Sequence, residues 1–182
     1  MRTVNVSWDR AGGRFTAVGS HASHQITINA PRRPEETRGS TGFSATELLL
    51  AGAAACSAWD VVEILRKRRA HVSALDVTVE GHQLPDPPWT YQRVVLHYRL
   101  AGDGLSMPVM ARVIRLSIVR YCSVITTIAG VAAIEATVEV IAGDGTTTGQ
   151  RPIELAIPAA EIAAQDIPAI GVPEPLADEE GE

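Results

Sequence analysis

The chain has 182 residues, enough for one domain with an appendage and a core that needs no disulfide or metal staple. It carries 16 basic and 21 acidic side chains, a formal net charge of −5, which argues against a general nucleic-acid binder. The start, MRTVNVSWDR, does not read as a signal peptide, and no uninterrupted apolar run approaches the roughly 20 residues of a membrane span. The expectation is a cytoplasmic protein with neither nucleic acid nor membrane as partner.

Taken along the chain, the first elements are strands. Val4, Val6 and Trp8 alternate with polar neighbours, Ala11-Gly12-Gly13 marks a turn, and Phe15 to Val18 and Gln25 to Asn29 continue an antiparallel meander. Pro31 to Gly42 has no apolar period and reads as a loop. Ser44-Ala45-Thr46-Glu47 then forms an S-x-x-E capping box ahead of an apolar run, predicting a helix that persists to about Ala70. Its middle, Ala51 to Ala58, is almost all small residues, so another backbone can approach closely. Arg66 to Arg69 set positive charge at the helix C-terminus, where the dipole is negative.

Two longer strands follow, one carrying Leu75, Val77 and Val79, the other running from Tyr91 to Leu100. Between them Pro85-Asp86-Pro87-Pro88 is irregular. A second helix starts near Ser106, with Val109, Val113, Leu116 and Arg120 at spacings of three and four. Tyr121-Cys122-Ser123-Val124 leads into a short helical run to about Ala129, and Thr137 to Val140 reads as a last strand. Strand runs separated by helices in this order predict an α+β fold, with helices on one face of antiparallel sheets.

Beyond Gly143 the composition becomes that of a linker. The stretch from residue 158 holds four prolines and seven acidic residues and ends in Asp178-Glu179-Glu180-Gly181-Glu182. The expected organisation is a domain over 1–142 and a loosely packed acidic extension over 143–182, with Ile153 to Ile157 as a candidate edge strand.

Only two cysteines occur, Cys56 and Cys122, with no C-x-x-C. Two are too few for a cysteine-based zinc site, and the five histidines (His21, His24, His71, His82, His97) show no metal-ligand spacing on one helix. No metal site is therefore read from these residues. On count alone the pair reads as inert packing or as redox chemistry. Asp60, four residues beyond Cys56 on the same helical face, reads equally as a group that orients the site or as a cap or ion pair inside a dimer, while the Trp59 ring reads first as core and only second as the wall of an apolar pocket.

The motifs around the cysteines go further. Thr46 to Leu65, TELLLAGAAACSAWDVVEIL, resembles the first-cysteine helix of the OsmC/Ohr family, the osmotically inducible protein C and organic hydroperoxide resistance proteins. Arg120-Tyr121-Cys122-Ser123-Val124 is similar to the second cysteine motif of an OsmC-like branch, and Val79-Glu80-Gly81 and Val94 to Tyr98 fit the strands between. The likeness covers roughly residues 3 to 142. It implies an intertwined homodimer with antiparallel sheets wrapped around central helices, acting as a thiol peroxidase on organic hydroperoxides. Cys56 would then be the peroxidatic cysteine and Cys122 the resolving one, with an external dithiol as reductant and no metal or organic cofactor needed.

The same resemblance implies an Arg, held by a Glu, beside the first cysteine. No arginine stands at a clearly matching position; Arg32, Arg33 and Arg38 lie in the loop ahead of the helix. Glu47 is the counterpart of the acid, nine residues before Cys56. Nine steps of about 100° turn it to the opposite face of a straight helix, about 13 Å away along the axis. Glu47 is thus a helix cap, or a catalytic residue acting across a dimer interface. Two other readings stay open: a non-peroxidatic OsmC-like protein that binds a small ligand or senses thiol redox state, and structural packing of both cysteines.

Overall fold

The computed structural model describes residues 3–9, 14–20, 24–28, 42–155 and 157. The loop expected from Pro31, with Arg32, Arg33 and Arg38, and the acidic extension from residue 158 lie outside the described residues.

Three short strands, β1 (Asn5–Asp9), β2 (Arg14–Val18) and β3 (Gln25–Ile28), form an antiparallel meander in the order β1-β2-β3. Trp8 stands opposite Phe15 and the two rings touch, with centroids 4.8 Å apart. The long helix α1 (Ala45–Lys67) begins at the expected box. The Ser44 hydroxyl accepts from the Glu47 N–H at 3.1 Å, and the Ser44 N–H donates to the Glu47 carboxylate at 2.7 Å. It ends slightly earlier than the sequence suggests, at a turn where Arg69 adopts φ 55. There the Arg69 N–H donates to the Arg66 carbonyl and the Ala70 N–H to the Leu65 carbonyl, so two carbonyls left over by the last turn are satisfied.

A four-stranded sheet follows: β4 (His71–Gln83), β5 (Tyr91–Asp103), β6 (Ala133–Ile141) and β7 (Thr147–Pro152), adjacent in that order. Along β5 the residues Val94, Leu96, Tyr98 and Leu100 are all buried, as the period of two requires of one face. Val138 and Val140 of β6 join them in the core. Between β5 and β6 run α2 (Met107–Leu116), a π-helical turn (Ser117–Tyr121) and α3 (Ser123–Ile128). Met110, Val113, Ile114, Ile118 and Ile125 face inward from this crossover.

The α+β fold expected from the sequence is the one observed, with two refinements. β5 and β6 pair parallel, Arg93 opposite Ala133, because the helical crossover returns the chain in the same direction. The sheet also continues past residue 142, where composition alone puts the domain boundary. β7 pairs antiparallel with β6, and Ile153, just beyond it, is buried in the core. Thr, Gly and Gln look like linker residues, but an edge strand needs little apolar surface, and Pro152 is tolerated at its end.

Candidate functional site

Ala53, Ser57, Val61 and Leu65 form the buried stripe of α1, each four residues after the last. Cys56 lies beside this stripe, partly exposed. Cys122 is fully buried at the junction between the π-helical turn and α3. Its backbone N–H donates to the Ser117 carbonyl at 2.9 Å, five residues back, which is the wider turn of a π-helix. Its sulfur caps α3 by accepting from the Ile125 N–H at 3.4 Å.

The two cysteines, 66 residues apart in sequence, meet at this point. The Cys122 thiol faces the Ala53 carbonyl at 4.0 Å, with the Cys56 thiol as its close electrostatic neighbour. Burial, reinforced by the neighbouring Cys56 thiol, pushes the Cys122 thiol from its usual 9.0 up to about 12. Cys122 is therefore a protonated thiol at neutral pH. Both cysteines are free thiols in the structure.

Three further polar groups converge on the pair, and the sequence analysis singled out none of them for chemistry. The Tyr98 hydroxyl, reaching from β5, donates to the Ser57 Oγ at 2.7 Å. The Ser57 hydroxyl in turn donates to the carbonyls of Ala53 and Ala54, at 3.0 and 3.1 Å. Ser117 Oγ donates to the Ser57 carbonyl at 2.9 Å. Ser57 and Ser117 are completely buried and Tyr98 nearly so. Burial dominates Tyr98 and raises its hydroxyl well above the ordinary tyrosine range, with Cys122, Cys56 and Asp60 adding to the effect. The available signal was a serine at 57 inside an apolar stripe of period four, since a buried hydroxyl demands a partner.

Glu47 is engaged at the start of α1. Its carboxylate accepts from the Ser44 N–H and the Ser44 hydroxyl, the latter at 2.8 Å, and these bonds hold its pKa below the usual glutamate range. The structure thus brings Cys56 and Cys122 together and sets Glu47 at the capping box, nine residues before Cys56. Among the described residues no arginine hydrogen-bonds to Cys56, and no group of three or more His, Cys, Asp or Glu is gathered to hold a metal ion.

Comparison with known proteins gives the family. Residues 37–137 match the model of the family described as OsmC-like protein. The chain belongs to that family. It is similar to Protein YhfA of Escherichia coli strain K12, 33% identical over 111 residues, which are 60% of this chain and 78% of the relative. An OsmC-like protein from Mycoplasma pneumoniae superposes with a TM-score of 0.65 at 22% identity, over 77% of this chain and 96% of that one. An organic hydroperoxide resistance protein, OsmC, from Legionella pneumophila does so with a TM-score of 0.56 at 14% identity, over 76% and 96%. At these identities the structural likenesses establish the fold.

Proposed function

We propose that this protein is a thiol-dependent peroxidase that reduces organic hydroperoxides through a two-cysteine cycle. One observation carries the reading: a partly exposed Cys56 is the immediate neighbour that perturbs the thiol of a fully buried Cys122. The Cys56 thiolate attacks the O–O bond, leaving a Cys56 sulfenic acid and, after protonation, an alcohol. The Cys122 sulfur then attacks the Cys56 sulfur. The S–O bond breaks, the S–S bond forms, and the departing hydroxyl leaves as water with the Cys122 proton. An external dithiol reduces the disulfide and resets the pair. Such a cycle requires a reducing compartment, and we place the protein in the cytoplasm. Glu47 serves in this reading through the cap of α1.

The reading includes a homodimer. Leu49, Val62 and Trp59 on α1 are 43%, 45% and 71% exposed in the single chain, an unusual set on a helix this apolar. A partner copy would cover them beside the Cys56 helix.

The test is consumption of cumene or tert-butyl hydroperoxide by the purified protein with dithiothreitol or a lipoyl dithiol. Turnover that disappears in Cys56→Ser supports the cycle; turnover no greater than that of Cys56→Ser rejects it. A second reading, a non-peroxidatic small-ligand binder or thiol-redox sensor, draws on the lack of an arginine bonded to Cys56 among the described residues. It predicts a disulfide that forms in redox buffers without catalytic peroxide consumption.

A further inference from the structure

We propose that Tyr98, Ser57 and Ser117 form a positioning relay that holds Cys122 in bonding register with Cys56 and so sets how readily the pair closes to a disulfide. The proposal rests on the two-cysteine pairing described above, and it does not depend on peroxide being the oxidant.

The relay runs from β5 through α1 to the π-helical turn, and every link is buried. Tyr98 donates to Ser57, so the Ser57 oxygen is used as an acceptor and its own hydrogen must point elsewhere; it goes to the Ala53 and Ala54 carbonyls. The Ala53 carbonyl is also the one that the Cys122 thiol faces, at the longer distance of 4.0 Å. Ser57 thereby shares the acceptor that the Cys122 thiol faces, and the thiol is left only weakly bound there, beside Cys56.

The second arm fixes the backbone. Ser117 Oγ donates to the carbonyl of Ser57, the residue next to Cys56, and the Ser117 carbonyl accepts from the Cys122 N–H. Two hydrogen bonds in series therefore connect the residue after Cys56 to the backbone of Cys122. None of these bonds except the weak contact at Ala53 uses a sulfur atom, so the relay survives when the disulfide forms. Its effect is to preorganise both states, which raises the effective concentration of one thiol at the other. Tyr98 is a positioning residue, with a hydroxyl that keeps its proton because the site is buried.

The experiment compares the full-length protein with Tyr98→Phe and Ser117→Ala, and with Tyr91→Phe as control. Tyr91 donates to the Thr46 carbonyl at 3.1 Å on the same helix, away from the cysteines. Each protein is equilibrated in mixtures of reduced and oxidised dithiothreitol, then acid-quenched and alkylated, to give the equilibrium constant for the Cys56–Cys122 disulfide. Losing a buried hydrogen bond from the relay should lower that constant about threefold to tenfold in Tyr98→Phe and Ser117→Ala, and leave it unchanged in Tyr91→Phe. In parallel, dimedone added with hydroperoxide should trap more Cys56 sulfenic acid in the two relay variants.

Equal constants in all four proteins would overturn the relay, as would an equal fall in Tyr91→Phe or the absence of any disulfide in the unsubstituted protein. If the unsubstituted protein forms the disulfide in dithiothreitol buffers but is not oxidised by hydroperoxide, the peroxidase reading fails. The relay is then judged on the equilibrium constants alone.

Discussion

Cys122 meets the Cys56 helix at the carbonyl of Ala53, one turn before Cys56, with its thiol hydrogen facing that oxygen at 4.0 Å. The contact needs residue 53 to be small, and Ala53 is completely buried beneath the junction that carries Cys122. The run of small residues from Ala51 to Ala58 thus has a local use: it lets the π-helical turn come close enough for one cysteine to reach the other.

The buried position of Cys122 makes stability pH-dependent. Its thiol ionises near 9.0 when unfolded and near 12 in the folded protein, so above about pH 9 the unfolded chain releases a proton that the folded one keeps. Stability is complete below that point and falls as pH rises through the window up to about 12. Tyr98, also raised by burial, extends the loss to higher pH. Thermal melts of the reduced protein should show this decline, and Cys122→Ala should have a flatter pH profile at the cost of a lower melting temperature. An identical slope in Cys122→Ala would count against the assignment.

Removing the resolving thiol should separate the two halves of the proposed cycle. Cys122→Ser should still give a stoichiometric burst of hydroperoxide consumption, because Cys56 is intact. The sulfenic acid should then accumulate, be trapped by dimedone and be reduced only slowly by dithiothreitol. Steady-state turnover equal to that of the unsubstituted protein would show that Cys122 has no part in the cycle.

At the start of α1, Ser44 and Glu47 share one reciprocal cap, and their substitutions should behave alike. Ser44→Ala should cost about 1 kcal/mol in chemical denaturation, the usual value of an N-cap serine. Glu47→Gln should lower stability at neutral pH and less so in acid. Its carboxylate pKa is depressed by Ser44, so its contribution is present above the unfolded value of 4.5 and fades as pH falls below it. If Glu47 acts only as a cap, neither variant lowers the peroxidase rate per folded molecule. A rate lost in Glu47→Gln alone would assign it a catalytic role across the dimer.

The fold was legible where local signals and tertiary structure agree. The capping box, the apolar run of α1 behind it and the alternation along β5 each state their element within a few residues. The parallel pairing of β5 and β6 is not local, since it depends on how the intervening helices pack. β7 was missed because Thr147 to Pro152 is recruited by the free edge of β6, while its own composition says only that it tolerates exposure. The cysteine pair was legible through its motifs. The relay around it was not: Tyr98 lies 41 residues from Ser57, and Ser117 lies 60 residues from it. No spacing rule connects serines and tyrosines at such separations.

Gly81 and Tyr91 should show coupled substitutions. A Cβ at Gly81 would run into the Tyr91 ring and press on Leu50, while the Tyr91 hydroxyl holds the Thr46 carbonyl. Gly81→Ala should destabilise by about 1–3 kcal/mol through overpacking, and Tyr91→Phe by about 1 kcal/mol through its lost hydrogen bond. Because the first substitution already displaces the ring, the double variant should lose less than the sum. Additive losses in urea denaturation would mean that the ring stays in place.

Trp59 is the most direct probe of the proposed homodimer. It is 71% exposed in the single chain and lies three residues beyond Cys56. A tryptophan buried at the centre of an interface commonly contributes about 2 kcal/mol or more, roughly a thirtyfold change in dissociation constant. Light scattering should give about twice the chain mass of 19.4 kDa for the unsubstituted protein. Trp59→Lys should shift the equilibrium toward the monomer and move the protein to that mass at low micromolar concentration. Because Trp59 projects away from its own core, the substitution should leave the far-ultraviolet circular dichroism of the folded chain intact. A mass of one chain for the unsubstituted protein would refute the dimer, and a Trp59→Lys protein that dimerises as tightly would place the interface elsewhere.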